Sequence, residues 1–168
     1  MPGDRQTFEQ APMSAAFVVM SGLVLALPVI FLVIGLTSPP LRFTFIGTAV
    51  AVAIGSLGVW LFYKPKALDL SKGELVIRFP MRELPFSRDE IVRAEVLTKA
   101  EIRTTLGYAL RVGVGGLFGV FGLLWTQKLG WVSVYVTTLE PWLLVTRKRG
   151  RPLLLSPRDP EAVARLLG

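Results

Sequence analysis

The 168-residue chain has no cysteine and no histidine. The first absence excludes a disulfide framework. The second removes the commonest metal ligand, the commonest general base and every Ser-His-Asp or Cys-His arrangement. Catalysis would then need paired carboxylates, a reactive lysine or a phosphate loop, and none of these shows a recognisable spacing. The chain reads as non-catalytic, with no metal or other cofactor. Charge is missing as well: residues 13–36 and 43–63 contain no Asp, Glu, Lys or Arg. Each run is long enough for a bilayer core about 30 Å thick, which takes roughly 20 helical residues. These runs account for the excess in a hydrophobic share of 52%.

What is present is a helical hairpin followed by a different kind of sequence. Residues 1–12 form a short polar tail, 13–63 a transmembrane hairpin, and 64–168 a separate domain. The turn Thr37-Ser38-Pro39-Pro40-Leu41-Arg42 is short, and Pro28 sits inside the first run. A signal peptide has an apolar core of only about 7–15 residues, so the first run reads as a retained helix. Gly47, Ala51 and Gly55 recur every fourth residue, with Gly22 and Ala26 in the first run to meet them. Such a stripe lets backbones approach closely. It serves either a dimerisation face between chains or packing within one hairpin, and the short turn favours the second.

The charge is uneven. The chain has 19 basic and 12 acidic residues, and two of each precede residue 64, so the remaining segment carries the whole net charge of +7. Lys64, Lys66, Lys72 and Arg78 follow the second run, whereas the turn offers only Arg42. The positive-inside rule places both termini in the cytoplasm and the Pro-Pro turn outside, in a multi-pass cell-membrane protein. A basic domain at a bilayer is drawn to anionic lipid. Tethering leaves nucleic acid little weight as a partner.

From residue 67 the apolar period becomes two. Leu68 and Leu70, then Leu75, Ile77 and Phe79, flank the turn Ser71-Lys72-Gly73 and predict a hairpin. Residues 82–86 fit a short strand. Ser87-Arg88-Asp89-Glu90 has capping-box spacing and predicts a turn leading into a strand. Residues 106–125 hold six glycines and one charge, Arg111. Length alone allows a third membrane helix, but the charge-free part is short, and a third span would move the basic tail outside. A strand around 108–112 followed by a glycine-rich connection is expected instead. Val132, Val134 and Val136 share one strand face, 142–147 returns, and 151–155 follows. Asp159, Pro160 and Glu161 supply helix-start chemistry for a closing helix with Val163, Leu166 and Leu167 on one face. A small antiparallel barrel or sandwich plugged by that helix is the economical solution.

Three stretches together carry a resemblance: the run from Arg111 through Phe118, Gly119 and Phe121 to Gly122, the strand from Gly130 to Thr137, and Ser156-Pro157-Arg158-Asp159-Pro160-Glu161-Ala162. The chain resembles the bacterial pleckstrin-homology-like domain proteins, which commonly carry two membrane helices ahead of the domain. The resemblance implies a seven-stranded, bent antiparallel barrel capped by one C-terminal helix, used as a platform for lipids, peptides or self-association. In lipid-binding members of the wider fold the first hairpin loop holds phosphates, and here that loop offers Lys72 beside Lys64 and Lys66.

The densest basic patch, Arg147, Lys148, Arg149 and Arg151, reads either as a contact for anionic lipid or an acidic partner, or as a solvated hairpin tip. Residues 113–122, with Phe118, Gly119, Phe121 and Gly122, read as a partner-docking or membrane-contacting loop, or as a buried connection needing glycine for space. Two function classes follow. One is a membrane-anchored binding or scaffold module, self-associating or bound to anionic lipid or protein. The other is an accessory or regulatory subunit of a larger membrane assembly, with the helices as contact surface.

Overall fold

The computed structural model of the chain describes residues 5–168. Helices α1 (Ala15–Thr37) and α2 (Arg42–Phe62) are joined by a single 3-10 turn, Pro39–Leu41. Their more shielded positions include Phe17, Ser21, Val24, Pro28, Phe31 and Gly35 on α1, and Phe45, Ala49, Val52, Ser56 and Val59 on α2. That alternation of four and three is the spacing of a coiled-coil seam. The rings of Phe31 and Phe45 meet across it at 5.9 Å. Gly35 marks the closest approach, where a Cβ would lie 3.0 Å from Ile46 Cγ1 and 3.2 Å from the Arg42 carbonyl. Only 11% of the apolar window of each helix is covered by the rest of the chain. An exposed apolar surface of this extent marks helices long and apolar enough to cross a membrane.

The packing reading of the small-residue stripe is not met. Gly22, Ala26, Gly47, Ala51 and Gly55 are all exposed, and a Cβ on any of these three glycines would have nothing within 4 Å. Each helical residue turns the side chain by roughly 100°, so positions one or two residues off the seam point away from the partner helix.

Beyond α2 the chain builds two sheets. Strands β2 (Ala67–Leu70), β3 (Glu74–Arg78) and β4 (Glu83–Ser87) form an antiparallel sheet, to which β1 (Gln6–Glu9) adds an edge in the order β1-β2-β3-β4. The second sheet runs β5-β9-β10-β8-β7-β6, from β5 (Ile91–Leu97), β6 (Ala109–Gly115), β7 (Val120–Thr126), β8 (Gly130–Val136), β9 (Trp142–Arg147) and β10 (Leu153–Leu155). Its neighbours are antiparallel except β8 and β10. Helix α3 (Lys99–Leu106) lies between β5 and β6, and α4 (Pro160–Leu167) closes the chain.

Both faces of this second sheet are covered. Leu143, Val145, Leu153 and Leu155 join Leu68, Leu75 and Ile77 of the first sheet in one core, which α4 closes with Val163 and Leu167. Val132, Val134, Leu144 and Leu154 point the other way, into a second core with Leu97. Two-sided burial explains the unbroken apolar run of β10, since a strand with one wet face would alternate. The closing helix forms as its chemistry dictates: Asp159 accepts the Ala162 N–H at 2.9 Å, and Pro160 takes the first turn. Ser87 leads through a 3-10 turn into β5 but makes no side-chain cap.

Two expectations change. Residues 106–125 form no third span, as expected, but they make the end of α3 and the β6–β7 hairpin, so the glycine-rich segment is strand as well as connection. Nine strands lie between residues 67 and 155 instead of seven. They form two open sheets packed together and closed by the C-terminal helix, the PH-like arrangement.

Candidate functional site

The strand directions give the domain a helix end and a far end. At the helix end, Ser14 N–H donates to Thr137 O at 3.1 Å and Met81 N–H to Leu61 O at 3.3 Å. From there β2 runs outward, and β8 and β10 run inward in parallel. At about 3.3 Å per residue, the two ends lie on the order of 15–20 Å apart.

This geometry divides the basic residues. Lys72, in the β2–β3 turn, and Arg147, Lys148, Arg149 and Arg151, in the β9–β10 turn, sit at the far end, away from the helices. Arg147 is held within the fold. Its guanidinium lies 4.8 Å from the Phe86 ring, its Nε donates to Arg151 O at 3.0 Å, and it pairs with Glu90 at 3.7 Å. Lys148, Arg149 and Arg151 are exposed. Lys64 and Lys66 lie at the helix end, with Arg78 and Arg82. Arg82 stacks 4.6 Å from the Phe79 ring and 5.3 Å from Tyr63. Burial pushes the nearby Tyr135 hydroxyl above its usual pKa, against the opposing pull of the Arg82 charge.

The tip of the β6–β7 hairpin, residues 116–119, docks on the apolar helices. Phe118 N–H donates to Ser21 Oγ at 2.7 Å, and Ser21 Oγ donates to Gly116 O at 3.3 Å. This loop thus contacts the chain's own hairpin. Phe118 shares a cavity of about 320 Å³ with Leu25, Pro28, Ser56 and Trp60, and Lys64 Nζ lies 5.5 Å from its ring. Glycine is required at two points. Gly119 has φ +146°, and a Cβ there would collide with Val136 O. Gly122, at φ +125°, faces Gly113 across the ladder, where a Cβ would come within 3.0 Å of the Gly113 Cα. Phe121 is buried and carries the hairpin into the core.

On the α3 face of the second sheet lies a groove of about 890 Å³. Ile102 and Leu106 of α3 form one wall; Val120, Leu124, Val134 and Val136 form the floor; Trp142 and Leu154 close a side. Arg103 and Arg111 stand on its rim. The Arg111 guanidinium lies over Gly115, where a Cβ would collide with it. The lining is mostly apolar with a few charged groups, and the volume falls within the roughly 300–1,000 Å³ of small-molecule sites.

Reading along the sequence missed α3, Ser21 and this groove. A signal for α3 was present: Thr98-Lys99-Ala100-Glu101 is a full capping box, with Glu101 Oε2 accepting Thr98 N–H at 2.9 Å and Thr98 Oγ1 accepting Glu101 N–H at 3.4 Å. The Thr98 N–H first, and then the Thr98 hydroxyl donating to Glu101 Oε2 at 2.8 Å, hold the Glu101 carboxyl below its usual pKa. Ser21 was visible only as a hydroxyl in an apolar run. The groove has no local signal, because its lining comes from six separate elements.

Among the described residues no cluster of acidic side chains could hold a metal. No curated protein and no solved structure matches the chain. A family model for the bacterial PH domain matches residues 67–168. That span holds β2–β10, α3 and α4, hence both cores and the groove; the chain belongs to the bacterial PH domain family, a family of binding or scaffold modules.

Proposed function

We propose that the chain is a membrane-anchored, non-catalytic binding module that contacts anionic lipid at the cytoplasmic leaflet. The observation that carries this reading is the placement of Lys64, Lys66 and Arg82 at the end of the sheets where the apolar helices enter, beside an Arg78 that pairs with Asp69 and Glu83. Each basic residue near an anionic surface contributes about 1 kcal/mol, screened within a Debye length of about 8–10 Å. The far-end residues Lys72, Arg149 and Arg151 lie beyond that range from the leaflet. Both termini are cytoplasmic in this reading.

The absence of cysteine makes the test clean. A single cysteine at Met81, exposed at the helix end, or at Arg149, at the far end, carries a polarity-sensitive dye in the full chain reconstituted in vesicles. Anionic vesicles should blue-shift the dye at 81 relative to neutral ones, reversibly with salt, and leave 149 unchanged. An equal response at both positions, or none that depends on lipid charge, defeats the reading.

One observation favours the second class of function, an accessory subunit. Gly47, Ala51 and Gly55 face away from α1, where a membrane partner or another copy would pack closely.

A further inference from the structure

The groove beneath α3 has a direction. Its floor reaches the helix end at Val120 and Val136, one residue from Gly119 and Thr137. Thr137 O accepts the Ser14 N–H at the start of α1, and Gly116 O accepts the Ser21 hydroxyl. The groove therefore opens beside the point where the chain meets the apolar helices. Its rim is cationic at the same place. Arg111 shares a strand face with Gly113 and Gly115, and its side chain lies over Gly115 toward that end. Among the described residues neither Arg111 nor Arg103 makes a side-chain ion pair or hydrogen bond. The acid nearest in sequence, Glu101, is engaged by Thr98. An apolar slot with two uncompensated arginines on its rim complements a molecule with a hydrocarbon chain and an anionic head.

We propose that the groove takes one acyl chain of an anionic phospholipid from the adjoining leaflet, with the headgroup phosphate on Arg111 and Arg103 adding charge on the rim. Gly115 explains why the site can exist: a side chain there would fill the lane along which Arg111 lies. The proposal rests on the membrane-anchored reading and names the ligand and its seat.

The test uses the full chain in vesicles containing a trace of phosphatidylglycerol with a photoactivatable group on one acyl chain. After irradiation, the attached peptides are identified by mass spectrometry. Labelling is expected within 102–109 and 120–136, beside the labelling of 15–62 that any spanning helix collects. Ala109→Trp, which puts a ring into the groove from an exposed edge-strand position, should cut groove labelling tenfold or more and leave helix labelling unchanged. Arg111→Glu, also at an exposed position, should cut it about fivefold, and a phosphatidylcholine probe with the same tails should label the groove at a fifth of the level or less.

Labelling confined to 15–62 overturns the proposal, as does equal groove labelling by the neutral probe or insensitivity to Ala109→Trp. Alkaline extraction separates the two readings. Protein released from the vesicles defeats the anchoring and the groove together; protein retained but unlabelled in the groove defeats only the lipid seat.

Discussion

A hydroxyl inside an apolar helix commonly turns back on its own backbone, bonding a carbonyl one turn earlier. Thr37 and Thr48 do this, donating to Val33 O at 3.0 Å and Thr44 O at 2.9 Å. Ser21 instead bonds twice to the β6–β7 tip, although residues 116–119 lie nearly a hundred positions along the chain. Phe118 is the one non-glycine residue with positive φ among the described residues, at 60°. A strained residue persists where its surroundings hold it, and here the Ser21 oxygen satisfies its N–H. Ser21→Ala leaves that donor unpaired in a shielded place, a loss of about 1–3 kcal/mol. Hydrogen exchange at the Phe118 amide should then accelerate about tenfold or more, with the helices unchanged. An unchanged exchange rate would mean that packing alone seats the loop.

Among the elements, α3 depends on its cap most directly, because Leu106 is the one buried residue among its eight. The Glu101 carboxyl is held below its usual value of 4.5 by the Thr98 N–H and hydroxyl. A group whose pKa is depressed on folding stabilises above its unfolded pKa, and that stabilisation is lost as pH falls through the folded value. Exchange protection along α3 should therefore hold from pH 7 down to about 5 and fall in more acid solution. Glu101→Gln should flatten this dependence, and Thr98→Ala should cost about 1 kcal/mol at neutral pH. A steep acid response that survives Glu101→Gln would assign it to another carboxylate.

The same helix shows what the sequence could reveal. Ser87–Glu90 and Thr98–Glu101 share one spacing, yet only the second caps a helix, because residues 91–97 are claimed by pairing with β9. The two apolar helices, the 71–73 turn and the Asp159 cap were legible, since each is decided by residues within one or two turns. The edge strand β1, the docked tip and the groove were not. Their partners lie tens of residues away, and a period-two pattern does not say which strand it will meet.

At the scale of the molecule, the PH-like domain is sewn to the apolar hairpin. The segment before α1 supplies β1, and Gln10 Nε2 donates to the buried Ser156 Oγ at 2.8 Å. Thr137 Oγ1 donates to Ala11 O at 2.8 Å, and Arg5 meets the buried Asp69 at 2.7 Å beside Arg78. A fragment of residues 64–168 therefore loses an edge strand, the packing of Phe8 on the main core and one of the two partners of Asp69. Burial of a large apolar side chain contributes about 1.5–3 kcal/mol, and a domain of about 100 residues shifts its Tm by roughly 4–8 °C per kcal/mol. Thermal unfolding of that fragment should fall at least about 5 °C below that of a fragment carrying residues 5–12 joined by a flexible linker. A peptide of residues 5–12 added in trans should recover part of the difference in a concentration-dependent way, since a ligand of the folded state stabilises by mass action. Equal stability with and without these residues would show β1 to be a dispensable edge, and the domain a tethered body instead of one fixed to its anchor.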